Sequence, residues 1–324
     1  MRKTEFFRTL LAWAMSLRPF QQLPFAEIPA LPRIPHPYFS VPTREVQVDV
    51  DGVGVSTHVK VHGQGPPLLL VHGLMTSSYS FRYVVEPLGQ HFTCYVPDLP
   101  GAGQTEAVDV PYTPAFLGRF LLALTGALGI GGCACVANSM GGYVAMIAVL
   151  DADAASFSRL VVLHAPAVAL RRHRLLGLAI RLPGSAHLLD ALVRRNPQKW
   201  AHQKVHYQDE TLKSQEEAKA YGAPLSTSQG RKAFWRYLHD TMDERVLQKF
   251  ERDLQARRDR GQPFPIPLQL QYVAYDPMVP AITGPRLRSY LPDADYVELS
   301  QGSHFAHVDA VGAFLAPTLE FLRR

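Results

Sequence analysis

Ser139 stands where a short apolar run meets a helix, in Val136-Ala137-Asn138-Ser139-Met140-Gly141-Gly142. The residues before it, 132–136, are small and apolar and bounded by glycine, as a buried parallel strand should be. Those after it, 143–150, continue as an apolar helix. A serine on so sharp a strand-to-helix turn projects its hydroxyl from the sheet, and small neighbours let the two backbones approach. The pattern is G-x-S-x-G with Ala137 in place of the first glycine. A hydroxyl is a weak nucleophile, so the chemistry also needs an imidazole to take its proton and a carboxylate to orient that imidazole. Residues 266–274 read as a strand ending in Tyr275-Asp276-Pro277, and residues 294–299 as a strand followed by the loop that carries His304. Asp276 and His304 therefore each sit just past the carboxyl end of a strand, the edge where open α/β sheets place their sites.

With serine, acid and histidine in that order, the chain resembles the α/β-hydrolase superfamily, in particular its serine esterase and lipase-like members. Two further motifs carry the resemblance. Residues 66–75 read as a strand followed by a His72-Gly73 turn, and Asp98-Leu99-Pro100-Gly101-Ala102-Gly103-Gln104-Thr105 is similar to the family's D-x-P-G-x-G-x-S/T loop. The likeness covers roughly residues 45–170 and 263–324. It implies an α/β fold with a mostly parallel central sheet flanked by helices and an inserted helical cap. It also implies that Ser139 attacks the carbonyl of a small ester, that His304 is the base and that Asp276 orients it. The backbone N–H groups of Leu74 and Met140 would form the oxyanion hole. The reaction expected is carboxylic ester cleavage through an acyl-enzyme, with no cofactor and no metal; the sequence holds no glycine-rich phosphate loop or dinucleotide fingerprint.

Two other readings stay open. Asn138-Ser139-Met140-Gly141 also resembles carbon–carbon bond hydrolases of ring-cleavage products, although those carry a tryptophan after the histidine where this chain has Phe305, and a cap arginine that no single residue here matches. A non-catalytic binding protein on the same fold is the other. Dehalogenases and epoxide hydrolases attack with an aspartate, and Ser139 argues against both.

Elements must bring these residues together. Residues 45–50 and 54–61 pair across Asp51-Gly52, a dipeptide that favours a tight turn. Strands at 68–72 and 92–97 flank a helix near 79–88. Thr113-Pro114 reads as an N-cap with proline at the first helical position, opening a helix to about Leu128. After a strand at 159–163 the core resumes near Pro265, which divides the chain into an arm (1–42), a core (43–166 and 263–324) and a helical cap (167–262).

Of 324 residues, 47% are hydrophobic and 19% charged, enough to bury a sizeable core. Cys94, Cys133 and Cys135 fall in strands and read as small core residues rather than a disulfide or metal pair. Seven prolines between Pro19 and Pro42 make that stretch extended, and residues 6–18 could form a short amphipathic helix that lacks the features of a signal peptide. The arm is expected to lie over the protein's own surface or to reach a membrane interface. Between Arg171 and Lys204, eight Lys or Arg face the single acid Asp190, although the whole chain is only +5. This basic stretch is a solvated face, or an apron for an anionic substrate or phospholipid surface. No nucleic-acid reader motif is present. The setting expected is cytoplasmic, with peripheral contact to a membrane. His202 and His206, four apart, are weak metal candidates; His307 is expected to pack at a helix start. Trp200, Trp235, Tyr237 and His239 line or pack the cap.

Overall fold

The computed structural model describes residues 19–151 and 157–324. Within them lies an eight-stranded sheet: β1 (Thr43–Val50), β2 (Val53–His62), β3 (Pro67–Val71), β4 (Thr93–Pro97), β5 (Ala134–Asn138), β6 (Arg159–Leu163), β7 (Leu268–Val273) and β8 (Asp295–Leu299). Their spatial order is β1-β2-β4-β3-β5-β6-β7-β8. β2 is antiparallel to both β1 and β4, and every other pair is parallel. The β1–β2 hairpin turns on Asp51 and Gly52, both at positive φ (55° and 83°), the geometry that a two-residue turn needs.

The strand period of two sorts the core into two faces. Leu69, Val71, Cys135, Ala137, Leu160 and Val162 join one cluster, with helices α2 (Pro114–Leu128) and α3 (Met140–Asp151). Leu68, Leu70, Val136, Val161 and Leu163 join the other, with the short helix α1 (Val85–Gly89) and the C-terminal helix at Val311–Arg323. Thr113 caps α2, accepting a bond from Phe116 N–H, with Pro114 in the first turn. All three cysteines are buried and free.

The segment expected as one helix near 79–88 is a 3-10 turn, Ser78–Phe81, followed by the five-residue α1. Pro87 accounts for the break. In a continuous helix its ring would clash with the carbonyl of Tyr83, but in the first turn of α1 it does no harm.

Between β6 and β7 the chain is helical: α4 (Arg171–Ile180), α5 (Ser185–Arg195), α6 (Pro197–Lys204), α7 (Gln215–Gly222), α8 (Ser228–Arg236) and α9 (Glu244–Asp259). The core closes with α10 (Thr283–Tyr290), α11 (Ala306–Asp309) and α12 (Val311–Arg323). No single helix among the described residues is long and apolar enough to cross a membrane.

Residues 19–42 lie across this helical segment as extended stretches broken by a turn in which Glu27 N–H donates to Pro24 O and by a 3-10 turn at Tyr38–Ser40. The N–H of Phe20 donates to Gln208 O, and those of Gln215 and Glu216 donate to Pro29 O and Ala30 O. Arg33 pairs with Asp209 at 2.8 Å. The helix expected at 6–18 lies outside the described residues.

A buried ion pair fastens α7 to the core. Arg82, fully buried, donates through Nη2 to Glu217 Oε2 at 2.5 Å, and the same oxygen accepts from Tyr207 O–H at 2.7 Å. The guanidinium lies 4.5 Å from the ring centre of Tyr79 and 4.6 Å from that of Tyr83. Removing one partner strands a buried charge, so Arg82→Met should cost about 3–5 kcal/mol, and adding Glu217→Gln should recover much of that loss. Denaturant unfolding of both variants checks this, and a loss below about 1 kcal/mol in the single variant would contradict it.

Candidate active site

Ser139 is one of the few non-glycine residues at positive φ, 54°. Its N–H donates to Leu163 O at 2.7 Å, and its carbonyl accepts the first bond of α3, from Tyr143 N–H. Space dictates the two glycines that follow. A Cβ on Gly141 would lie 2.4 Å from His72 O, and one on Gly142 would lie 2.7 Å from Val162 Cγ1. Across the turn, a Cβ on Gly73 would lie 2.8 Å from Ser139 Cβ. The His72-Gly73 turn and the serine therefore meet at backbone distance.

Asp276 and His304 are brought together as expected. His304 Nδ1 lies 2.7 Å from Asp276 Oδ2. The carboxylate is acceptor-only, so Nδ1 carries the proton of this bond and Nε2 is left for the cavity. Asp276 Oδ1 accepts from the N–H groups of Met278 and Val279 at 2.7 and 2.9 Å. Burial by itself would raise this carboxyl's pKa, but the facing His304 and His164 outweigh it and hold the group well below the usual carboxylate range.

His164 is the residue that sequence reasoning missed. It is fully buried, and its Nδ1 lies 3.1 Å from the same Asp276 Oδ2. Burial lowers its pKa, which keeps the ring neutral. Like Ser139 it follows a strand end at positive φ (55°), and its N–H donates to Gln271 O on β7. Its signal was its place: a histidine directly past the carboxyl end of β6. Asn138 holds the histidine loop, its amide donating to His304 O at 3.1 Å and to Leu163 O at 3.3 Å.

Leu74 and Met140 line one cavity with Ser139 and His304. Among the described residues nothing accepts a hydrogen bond from either N–H; Met140 opens α3, where such groups are left over. The other two motifs are scaffolding. His72 donates through Nδ1 to Gly73 O and accepts at Nε2 from Leu99 N–H, while Asp98 accepts from Ser78 N–H and Gln104 N–H.

The cavity holds about 400 Å³ and is mainly apolar. Leu176, Leu189, Trp200, Phe234, Leu238 and Met242 of the helical segment close it above the serine, with Arg172 and Lys204 in the same wall. Arg172 donates to Met278 O at 2.5 Å. The other aromatic residues divide. Tyr237 is buried and donates to Pro100 O, and Trp235 stacks on His239 with centroids 4.5 Å apart. His307 packs among Phe81, Phe305 and Phe314. His202 and His206 share no metal-binding geometry: His202 Nε2 contacts Leu23 O, and His206 Nδ1 faces Gln22 and Glu210. Among the described residues, the one group of His, Cys, Asp and Glu whose ligand atoms converge is His164, Asp276 and His304, within 4.8 Å of one another. There both Nδ1 atoms already face Asp276 Oδ2, in the space a cation would take.

Comparisons with known proteins agree with this architecture. A family model for the alpha/beta hydrolase fold matches residues 66–311. The chain is 28% identical to YugF, an uncharacterised hydrolase of Bacillus subtilis, over 79% of this chain and 89% of that protein. It is 38% identical to a haloalkane dehalogenase of Agrobacterium fabrum, over only 20% of this chain and 21% of the dehalogenase. Among solved structures, the epoxide hydrolase CorEH is similar with a TM-score of 0.72 at 16% identity, covering 87% of this chain and 99% of that one, a likeness of fold alone.

The charge on Asp276 has a stability signature. A carboxyl whose pKa is lower folded than unfolded stabilises the fold above its unfolded value of about 3.9, and loses that contribution as pH falls toward the folded value. Asp276→Asn should therefore lower the melting temperature at neutral pH, with the gap from the parent narrowing below about pH 4. Melting curves across that range check this; a gap that stays constant into acid would contradict an ionised carboxylate.

Proposed function

The chain belongs to the α/β-hydrolase family, and from that premise we propose that it is a serine hydrolase cleaving a carboxylic ester through Ser139, His304 and Asp276. The observation that carries the reading is a serine at φ 54° sharing one cavity with a histidine whose far nitrogen is committed to a buried carboxylate.

In this reading Ser139 Oγ attacks the ester carbonyl carbon as His304 Nε2 takes its proton. Asp276 holds the ring and stabilises the imidazolium. The tetrahedral oxyanion accepts from the N–H groups of Leu74 and Met140, each such donor contributing about 3–4 kcal/mol in comparable sites. Collapse returns the proton to the leaving alcohol and leaves an acyl group on Ser139. Water, deprotonated by His304, then releases the acid. The helical segment acts as the cap, and its apolar wall suits an ester with a hydrophobic acyl or alcohol part.

The haloalkane dehalogenase and the epoxide hydrolase named above do not transfer their reactions here. By the family resemblance those enzymes form an ester on an aspartate, and this chain has a serine at the strand-to-helix turn. A second reading, carbon–carbon bond hydrolysis of a ring-cleavage product, draws support from Arg172 in the cavity wall. Against it, the Asn138 amide nitrogen is occupied with backbone carbonyls, and Phe305 follows the histidine.

Ser139→Ala should fold normally and lose p-nitrophenyl ester turnover by about three or more powers of ten. A fluorophosphonate should label the parent at that serine and not label the variant. Retention of most of the rate by Ser139→Ala would remove the nucleophile assignment, and faster turnover of a ring-cleavage dienone than of any ester in a chain-length series would favour the second reading.

A further inference from the structure

Two consecutive helices of the cap, α4 and α5, present leucine to the outside. Leu175, Leu178, Leu182, Leu188 and Leu192 are exposed by between 42% and 68%. Leu175 and Leu178 on α4, and Leu188 and Leu192 on α5, stand at helical spacing, with Leu182 in the turn between the two helices, so the pair turns an apolar face outward rather than scattering single residues. The other side of the same helices faces the active site: Leu176 and Leu189 line the cavity that holds Ser139. α4 and α5 together match the length and composition of a membrane span, but they bend by 95° between them, so they form a surface rather than a rod.

The charges around the stripe choose its partner. Arg172 is turned to the cavity wall, Arg181 is paired with Asp243, and Asp190 is paired with Arg231. Arg171, Arg174, Arg194 and Arg195 remain exposed on the two helices, and among the described residues no acid forms an ion pair with any of them. Leucine flanked by unpaired arginine suits a layer that is apolar inside and anionic at its surface. A second copy meeting this face across a two-fold axis would set arginines against arginines. Residues 1–18 would do the same, since they carry Arg2, Lys3, Arg8 and Arg18 against the single Glu5.

We propose that the outer face of α4 and α5 docks the enzyme on an anionic phospholipid surface, with the cavity beneath it receiving substrate from that layer. The docking does not depend on which bond Ser139 attacks. The leucines insert at the level of the headgroups while the four arginines lie against lipid phosphates, an attraction that salt screens over about 8 Å at physiological ionic strength.

The test is sedimentation of the full chain with vesicles of phosphatidylcholine and phosphatidylglycerol in equal parts, beside vesicles of phosphatidylcholine alone. The parent should bind the anionic vesicles, bind the neutral ones much more weakly, and release the former in high salt. The variant Leu175→Gln/Leu178→Gln/Leu188→Gln replaces no residue of the cavity wall. It should lose at least about tenfold in vesicle affinity while keeping its melting temperature and its turnover of a small soluble ester. Absence of parent binding to anionic vesicles would overturn the proposal, as would binding that the triple variant retains in full. A parent dimer in sedimentation velocity that the variant loses, without vesicle binding, would give the face to a second copy. A drop in the variant's melting temperature, again without vesicle binding by the parent, would give it to this chain's own residues 1–18.

Discussion

Ser139 occupies a backbone conformation that an L-residue with a side chain avoids, at a cost of about 1–3 kcal/mol, and the surrounding elements leave it no cheaper alternative. Its N–H is spent on Leu163 O at the end of β6, and its carbonyl starts α3. The close approach of Gly141 to β3 and of Gly142 to Val162 fixes where that helix begins. Relaxing the serine to an ordinary φ would move α3 against two strands packed at backbone distance. The strain is thus held by packing of the sheet core, and it keeps the hydroxyl above the sheet edge while Met140 N–H stays free beside it.

The second constraint is the carboxylate of Asp276. Both its oxygens are engaged, one by two backbone N–H groups and the other by the His304 imidazole, with His164 Nδ1 3.1 Å from the latter. Such a group has no freedom to rotate, so His304 is held by a fixed acceptor. Asn138 adds a bond to the His304 carbonyl from the residue directly before the serine, tying the serine turn and the histidine loop into one unit. His164 gives Asp276 a second imidazole neighbour beside His304. Its ring meets Tyr272 edge-on and lies 5.6 Å from the His304 ring, so it packs behind His304 as well as facing the carboxylate.

Much of this was legible in the sequence because each element announced its own end. Apolar strands at 132–136, 266–274 and 294–299 stopped at Ser139, Asp276 and His304, and the sheet-edge rule then made those three a set. His164 stands at the same edge after β6, but no chemistry demanded a fourth member, so nothing in the pattern singled it out. The segment at 79–88 reads as one helix because its residues are nearly all buried and offer no amphipathic stripe, leaving Pro87 as the signal of a break. The course of the arm was beyond local reasoning, since Gln208, Gln215 and Glu216, which fix it, lie 186 to 188 residues along the chain from their partners. In the helical segment the apolar positions were visible, but periodicity reports that a helix has a greasy side and not which way it turns. Leu176 and Leu189 face the cavity, whereas Leu175 and Leu188, one residue away in each case, face outward.

In the proposed reaction a serine, rather than an acidic residue, forms the covalent bond to substrate. A single turnover with enzyme in excess, carried out in heavy-oxygen water and followed by mass analysis of product and enzyme peptides, tests that most directly. One heavy oxygen should appear in the carboxylic acid released and none in any peptide of the enzyme, because water attacks the acyl carbon and Ser139 keeps its own oxygen. Heavy oxygen in an aspartate or glutamate of the enzyme after that turnover would mean that a carboxylate had carried the substrate, and would contradict it.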